Sequence, residues 1–334
     1  MTTISKVAEH AGVSRTTVSH VLNHADRVSV HLRERVLKAI EELGYVPNPQ
    51  AQSLRTGRTN VVAMLIPDIR NPFYPELVKT VQSDLEVEGL DTLIFNTDVP
   101  GGHSQELSRE YLRQVRSKRV DGLIVGDFAL HGMHDALLDI EIPTVFIGKL
   151  PSEAVDSVRV DDESACYELG KYLAERGHRR VAQITGPSFF SEAMDRARGF
   201  RHGLLDHGLK AEDIFEWEGT FLAPSGMDGV DWLLSAHVEH RPTALFFANH
   251  LMALGGMARL FDHGISVPAD LAVTVYGDQP QMDYIRPRLT RAGVPPAQQA
   301  HVATRMLLER LSNGYKGSAR TEVLIGTVKS FDSA

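Results

Sequence analysis

Ser5-Lys6-Val7-Ala8-Glu9-His10-Ala11-Gly12-Val13-Ser14-Arg15-Thr16-Thr17-Val18-Ser19-His20-Val21-Leu22-Asn23 decides how the chain begins. Apolar residues recur at helical spacing from Ile4 to Ala11, and Gly12 stops the run. Ser14 is suited to N-cap a second helix. At about 100° per residue, Arg15, Thr16, Ser19, His20 and Asn23 share one face of that helix, while Val18, Val21 and Leu22 share the other. Helix, glycine turn and helix make a helix-turn-helix pattern. A polar face with few acids suits a helix lying in the DNA major groove. A third helix is expected over about Val30 to Leu43, with Leu32, Val36, Leu37, Ile40 and Leu43 closing a small core.

Working outward, the next stretch is Tyr45-Val46-Pro47-Asn48-Pro49-Gln50-Ala51-Gln52-Ser53-Leu54-Arg55-Thr56-Gly57-Arg58-Thr59. Two prolines and a glycine bracket a short helix-capable run whose apolar residue, Leu54, sits beside arginines. A leucine so placed is a poor core residue and a good wedge for a minor groove. Candidate DNA contacts are therefore Ser5, Ser14, Arg15, Thr16, Thr17, Ser19, His20 and Asn23 from the helix pair, with Ala51, Leu54 and Arg55 from the linker.

Charge divides the chain at the same place. Residues 1–60 carry eight Lys+Arg and five Asp+Glu, a formal +3, whereas the whole chain is −8, which leaves −11 on residues 61–334. The head attracts phosphate and the body repels it. The lone cysteine, Cys166, cannot form an internal disulfide, which suits a reducing compartment. No apolar run approaches the ~18 residues of a membrane span, and no signal-peptide pattern opens the chain, so a cytoplasmic protein without membrane contact is expected.

Beyond residue 60 the sequence alternates β-rich runs with amphipathic helices. The runs include 61–66, 91–96, 122–126 and 144–148, then 181–184, 243–248 and 271–276. Such alternation predicts parallel sheets covered by helices on both faces, in an α/β fold. The unit occurs twice, which predicts two doubly wound lobes with a cleft at the carboxyl ends of their strands.

Taken together, these marks resemble the lactose-repressor (LacI/GalR) family of bacterial transcription regulators along essentially the whole chain. The resemblance rests on Ile4-Ser5-Lys6-Val7-Ala8, Gly12-Val13-Ser14, Thr17-Val18-Ser19, Glu42-Leu43-Gly44-Tyr45-Val46-Pro47-Asn48 and Ala51 to Thr56. In the body it rests on Asn71-Pro72-Phe73-Tyr74, Gly177-His178-Arg179-Arg180-Val181, Arg196-Ala197-Arg198-Gly199-Phe200 and Asn249 to Gly255. It implies a helix-turn-helix head over 1–46, a hinge helix and linker over 47–60, and a body over 61–334 of periplasmic-binding-protein type. The N-lobe would comprise about 61–160 and 292–322, and the C-lobe about 161–291 and 323–334. Arg15, Thr16 and His20 would read bases. Ala51, Leu54 and Arg55 would form the hinge, where paired leucines from two subunits open a base step of a pseudo-palindromic operator. The chain stops at Phe331-Asp332-Ser333-Ala334 without a leucine heptad, so a homodimer is expected.

The resemblance also implies an effector pocket from Phe73, Tyr74, Asp161, Phe190, Glu192, Arg196, Phe221 and Asn249. Aromatic rings would supply apolar faces, and Arg196, Asp161 and Asn249 orienting hydrogen bonds. Two departures stand out. The family's Asn-Asp pair is here Asn249-His250, and Gly277 stands where a ligand-binding aspartate usually sits. Either Asp278 substitutes from the next position or the carboxylate is absent. A neutral sugar or derivative is the leading effector; an anionic one would draw on Arg196 and a protonated His250, and a nucleobase is a further alternative.

Remaining chemistry reads blandly. His131 with His134 and His237 with His240 have ligand-like spacing but no converging acids or cysteines, so no metal and no cofactor are expected. Gly101-Gly102 lacks the Gly-Lys-Ser/Thr of a phosphate loop. An enzyme fused to a DNA module would need a nucleophile–base pair or such a loop, and neither stands in the sequence.

Overall fold

A computed structural model describes residues 2–23, 28–46, 57–97, 105–118, 120–127, 137, 140–150, 155–236 and 241–334. The chain divides into two compact units, residues 1–59 and 60–334.

The first unit contains α1 (Ile4–His10), α2 (Arg15–Asn23) and α3 (Val30–Glu42). Thr3 caps α1 by accepting from the Lys6 N–H, and Ser14 Oγ accepts from the Thr17 N–H at 3.0 Å at the start of α2. Between them Gly12 adopts φ +63°, a left-handed conformation that glycine enters without steric cost. Arg35 of α3 donates to the carbonyls of Ala11 and Gly12, fastening the turn. Val7, Ala8, Val18, Val21, Val36 and Ala39 make the core. Leu37, expected there, is 45% exposed. The face of α3 that meets the helix pair carries Val36, Ala39 and Ile40, so residue 37 falls outside it.

The second unit is built on two six-stranded sheets. In chain order come β1 (Val61–Ile66), α4 (Phe73–Val87), β2 (Asp91–Asn96), α5 (Gln105–Lys118), β3 (Gly122–Gly126), β4 (Thr144–Ile147) and β5 (Asp156–Val160). Then follow α6 (Asp162–Glu175), β6 (Val181–Thr185), α7 (Ser191–Asp206), β7 (Ile214–Glu218), α8 (Ala223–Ala236), β8 (Ala244–Phe247), α9 (His250–Asp262), β9 (Ala272–Tyr276) and β10 (Thr290–Gly293). Last are α10 (Pro296–Leu311), β11 (Thr321–Leu324) and β12 (Thr327–Lys329). The N-lobe sheet runs β2-β1-β3-β4-β5-β11 and the C-lobe sheet β7-β6-β8-β9-β10-β12. Both are therefore wound in the same order. Every pairing is parallel except β10 with β12.

The chain crosses between lobes three times, after β5, after β10 and after β11. Helix α10 returns to the N-lobe, where Ala300, Ala303, Met306 and Leu307 join the core on one face of the sheet. Strand β11 pairs with β5 as far as Leu324 opposite Val160, two residues beyond the crossing at 322 that the sequence suggested. Among the described residues no helix is long and apolar enough to cross a membrane.

Close packing of α6 on α7 fixes the helix that carries much of the cleft. A Cβ at Gly199 would lie 2.1 Å from the Glu163 carbonyl oxygen, and one at Gly203 2.1 Å from that of Tyr167. Only glycine permits this approach. Phe200, fully buried on the same helix, stacks on Phe246 at 4.3 Å between ring centroids. Burial of such a ring stabilises the lobe by roughly 2–3 kcal/mol.

Candidate functional site

The head presents Ser5, Ser14, Arg15, Thr16 and His20 to solvent, with Thr17 and Ser19 half-buried beside them. Ser14 and Thr17 also bond to each other at 2.8 Å, so part of their polar capacity serves the helix start. Asn23 lies on α2, and Ala51, Leu54 and Arg55 lie outside the described residues, as do His131, His134, His237 and His240.

Between the lobes of the body lies a cavity of about 460 Å³. It opens at the carboxyl ends of both sets of strands, as winding order requires. Phe73, Tyr74, Phe190, Glu192, Arg196, Phe221, Asn249 and His250 all line it. Asp161 and Asp278 do not.

The N-lobe wall follows from a local turn. The Asn71 side chain accepts from the Phe73 N–H at 3.1 Å, starting α4, so the first residues of that helix face the cleft. Phe73 meets Tyr74 edge to face at 5.1 Å, and the Tyr74 hydroxyl donates to the Asp127 carbonyl at 3.0 Å. The C-lobe wall is the pair Phe190 and Phe221, with centroids 6.1 Å apart and planes 25° apart. A flat ligand needs about 7 Å between the rings that sandwich it. These two therefore form one wall, and any sandwich must be completed from the N-lobe.

Phe221 is held in an uncommon conformation, φ +63°, for a bulky residue. Asn249 accounts for it. Its Oδ1 accepts from the Met252 N–H at 2.9 Å, capping α9, and its Nδ2 donates to the Phe221 carbonyl at 2.8 Å. The Phe221 ring rests on Gly186, where a Cβ would lie 2.1 Å from the ring. The carboxamide of Asn249 thus positions an aromatic wall.

Arg196 is the central cation. Its Nε donates to Asp162 at 3.2 Å and its Nη1 to the Ala248 carbonyl at 3.2 Å. The guanidinium lies 3.9 Å from the Tyr276 ring centroid. Burial opposes its charge, but Asp162 and the other groups around it hold its pKa above the ordinary value. Asp162 is itself raised by burial, against the attraction of Arg196 and a hydrogen bond from Tyr276.

Two acids fall elsewhere than the sequence suggested. Asp161 spends its carboxylate as the N-cap of α6, accepting from the N–H and hydroxyl of Ser164 at 3.0 and 2.8 Å. Its neighbour Asp162 takes the place at the cavity. Asp278 is turned away into a buried ion pair, 2.7 Å from Arg291 and 2.5 Å from Lys329. His250 also departs from expectation. Burial and the nearby Arg196 push its pKa down to about 4, so it is neutral near pH 7 and supplies no counter-charge.

The cavity holds groups the sequence reading passed over. Lys149, which follows β4, bridges to α7 of the other lobe: its Nζ lies 2.6 Å from Asp195 and its N–H donates to Glu192 at 3.1 Å. Tyr276, Gln279, Asp127 and Asp162 are further lining residues. Five acids (Asp68, Asp127, Asp162, Glu192, Asp195) face four bases (Arg70, Lys149, Arg159, Arg196), so the lining has no positive excess.

Comparison with known proteins places this geometry. Residues 3–48 match the family described as bacterial regulatory proteins, lacI family, and residues 171–330 match the periplasmic binding protein-like domain. The HTH-type transcriptional repressor PurR of Vibrio atlanticus (strain LGP32) is 34% identical over 316 residues, covering 94% of this chain and 93% of the relative. PurR of Vibrio cholerae serotype O1 (strain M66-2) is 34% identical over 317 residues, covering 94% and 92%. Among solved structures, the Lac repressor dimer bound to operator and the anti-inducer ONPF superposes with a TM-score of 0.86 at 25% identity, covering 99% of this chain and 98% of that one. The transcriptional regulator CelR–cellobiose complex gives 0.70 at 29%, covering all of both chains.

Proposed function

The chain belongs to the lacI family of bacterial regulatory proteins and is a DNA-binding repressor, and from that premise we propose that a neutral small molecule bound between its lobes controls it. The observation that carries the proposal is the lining of the cavity. Aromatic rings face it from both lobes, its acids and bases nearly balance, and His250 is uncharged. A site of that character favours a ligand with an apolar face and several hydrogen-bonding groups. A sugar or sugar derivative fits: C–H faces lie on the rings, and hydroxyls reach the carboxylates and Arg196. The CelR structure holds a ligand of that kind, cellobiose, by its description. A nucleobase is the second reading, favoured by rings on opposite lobes that can close on a flat heterocycle.

In this reading Arg15, Thr16 and His20 read base edges in the major groove, and Leu54 with Ala51 and Arg55 engages the minor groove of a pseudo-palindromic operator. The protein acts as a homodimer in the cytoplasm. A ligand shifts operator affinity only through its different affinity for two states of the body, and closure of the lobes is the motion that distinguishes them. Melting temperatures with D-ribose, cellobiose, adenine, uracil and glucose 6-phosphate test the reading, because a ligand of the folded state raises the transition. A shift with a neutral compound supports it. A shift with glucose 6-phosphate alone refutes it.

A further inference from the structure

Gly277 leaves the cavity wall without a side chain at the end of β9, and its place is taken by another residue. A Cβ built on Gly277 would lie 2.6 Å from Gln279 Oε1 and 3.1 Å from Gln279 Nε2. The carboxamide of Gln279 therefore fills the volume that a side chain at 277 would enter. Gly277 has φ +124°, a backbone geometry other residues rarely adopt, so the bare backbone and the inserted amide go together.

Gln279 is 6% exposed, and its Oε1 has no hydrogen-bond partner within the protein. His250 is 8% exposed, and its Nε2 is likewise unpartnered. Both residues line the cavity. Buried polar atoms without partners are uncommon because desolvation leaves them at a deficit. Both atoms are covered in the ligand-free cavity, so a ligand reaches them by a turn of either side chain, and two such atoms on residues of one wall mark groups that a ligand can satisfy. Neither bears a charge: one is an amide, and burial keeps the other a neutral imidazole.

We propose that Gln279, together with His250, sets effector specificity in this chain, by offering an uncharged hydrogen-bonding surface to a hydroxyl or ring N–H of a neutral ligand. The inference rests on the assignment of the cavity as the effector site. Gln279 Oε1 accepts from the ligand's donor, and His250 Nε2 accepts or donates according to its tautomer. A carboxylate on this wall would bind a donor pair more strongly and would also draw cations. The amide gives up that charge and selects for neutral compounds.

The full-length protein and its Gln279→Leu and Gln279→Glu variants test this, titrated with D-ribose, cellobiose, adenine and uracil. Ligand-free melting temperatures report that each variant folds. For a compound that binds the wild type, Gln279→Leu should weaken binding by about tenfold or more, since a buried hydrogen bond is lost without loss of bulk. Gln279→Glu should make affinity vary with pH between 5 and 7, where His250 stays neutral, more steeply than the wild type's does. Equal affinity in wild type and Gln279→Leu, with both folded, overturns the role of Gln279 and leaves the cavity assignment standing. Failure of all four compounds to bind the wild type overturns the neutral-ligand reading and this inference with it.

Discussion

Asp278→Asn separates a structural carboxylate from a ligand-binding one. Asp278 and Arg291 have side chains only 5% and 4% exposed, and they meet at 2.7 Å. Lys329 lies 2.5 Å from the second carboxylate oxygen. Replacing the carboxylate by an amide keeps the shape, removes the charge and sets an NH₂ group against one of two cations. Breaking a buried pair in this way costs about 3–5 kcal/mol. Arg291 keeps a second partner, Asp283 at 2.7 Å, but that residue is 56% exposed and compensates only in part. The lower end of the range is therefore expected, about 3 kcal/mol. For a body of this size that corresponds to a fall in melting temperature of about 6 °C. Thermal and urea unfolding of wild type and variant measure it, and ligand titration on the folded variant should return wild-type affinity. An unchanged melting temperature with weakened binding would refute the placement of Asp278 in the lobe interior.

Three further outcomes are expected. Gly186→Ala drives a Cβ to within 2.1 Å of the Phe221 ring, so the wall must move; overpacking of this kind costs about 1–3 kcal/mol, and ligand response should fall while ligand-free operator binding persists in a gel-shift assay. His250 is neutral in the folded state down to about pH 4 but titrates near 6.5 when unfolded. Its folded pKa is depressed, so the stability it contributes is full above pH 6.5 and is lost as pH falls toward 4; urea unfolding should show about 2–3 kcal/mol of acid destabilisation by pH 4.5 that His250→Gln lacks. Leu54→Ala should weaken operator binding far more than binding to random duplex, because a wedge acts only on an opened base step; equal losses would remove Leu54 from the minor groove.

The helices and the alternating body were legible because periodicity and caps are local properties. Ser14 and Gly12 marked the turn of the head, and the apolar runs of β1, β3, β6, β8 and β9 stood out. The strands that escaped were β5, β7, β10, β11 and β12. Strands β7 and β11 have alternating or half-exposed patterns, and β12 is three residues long, so none offers a continuous apolar run. Within the site, the rings and Arg196 were legible through motifs. So was Glu192, whereas the acids at 161–162 and 278 were not, because one residue of phase decides them. Whether Asp161 or Asp162 faces the cleft depends on which of them caps α6. Whether Asp278 or Gln279 faces it depends on the backbone at Gly277 and on two cations, Arg291 and Lys329, that arrive from β10 and β12.

The three crossings between the lobes bear on how such proteins can be recombined. The head is one uninterrupted segment, so a single genetic junction in residues 57–60 exchanges it whole. Neither lobe has that property. A fragment ending at residue 160 would lack α10 and β11, and with them Met306, Leu307 and the strand that completes its sheet. Grafting the ligand preference of one relative onto another lobe by lobe therefore demands three simultaneous junctions. Operator choice can change by exchange of modules, whereas ligand choice changes in place, through single residues of the cavity wall such as Gln279.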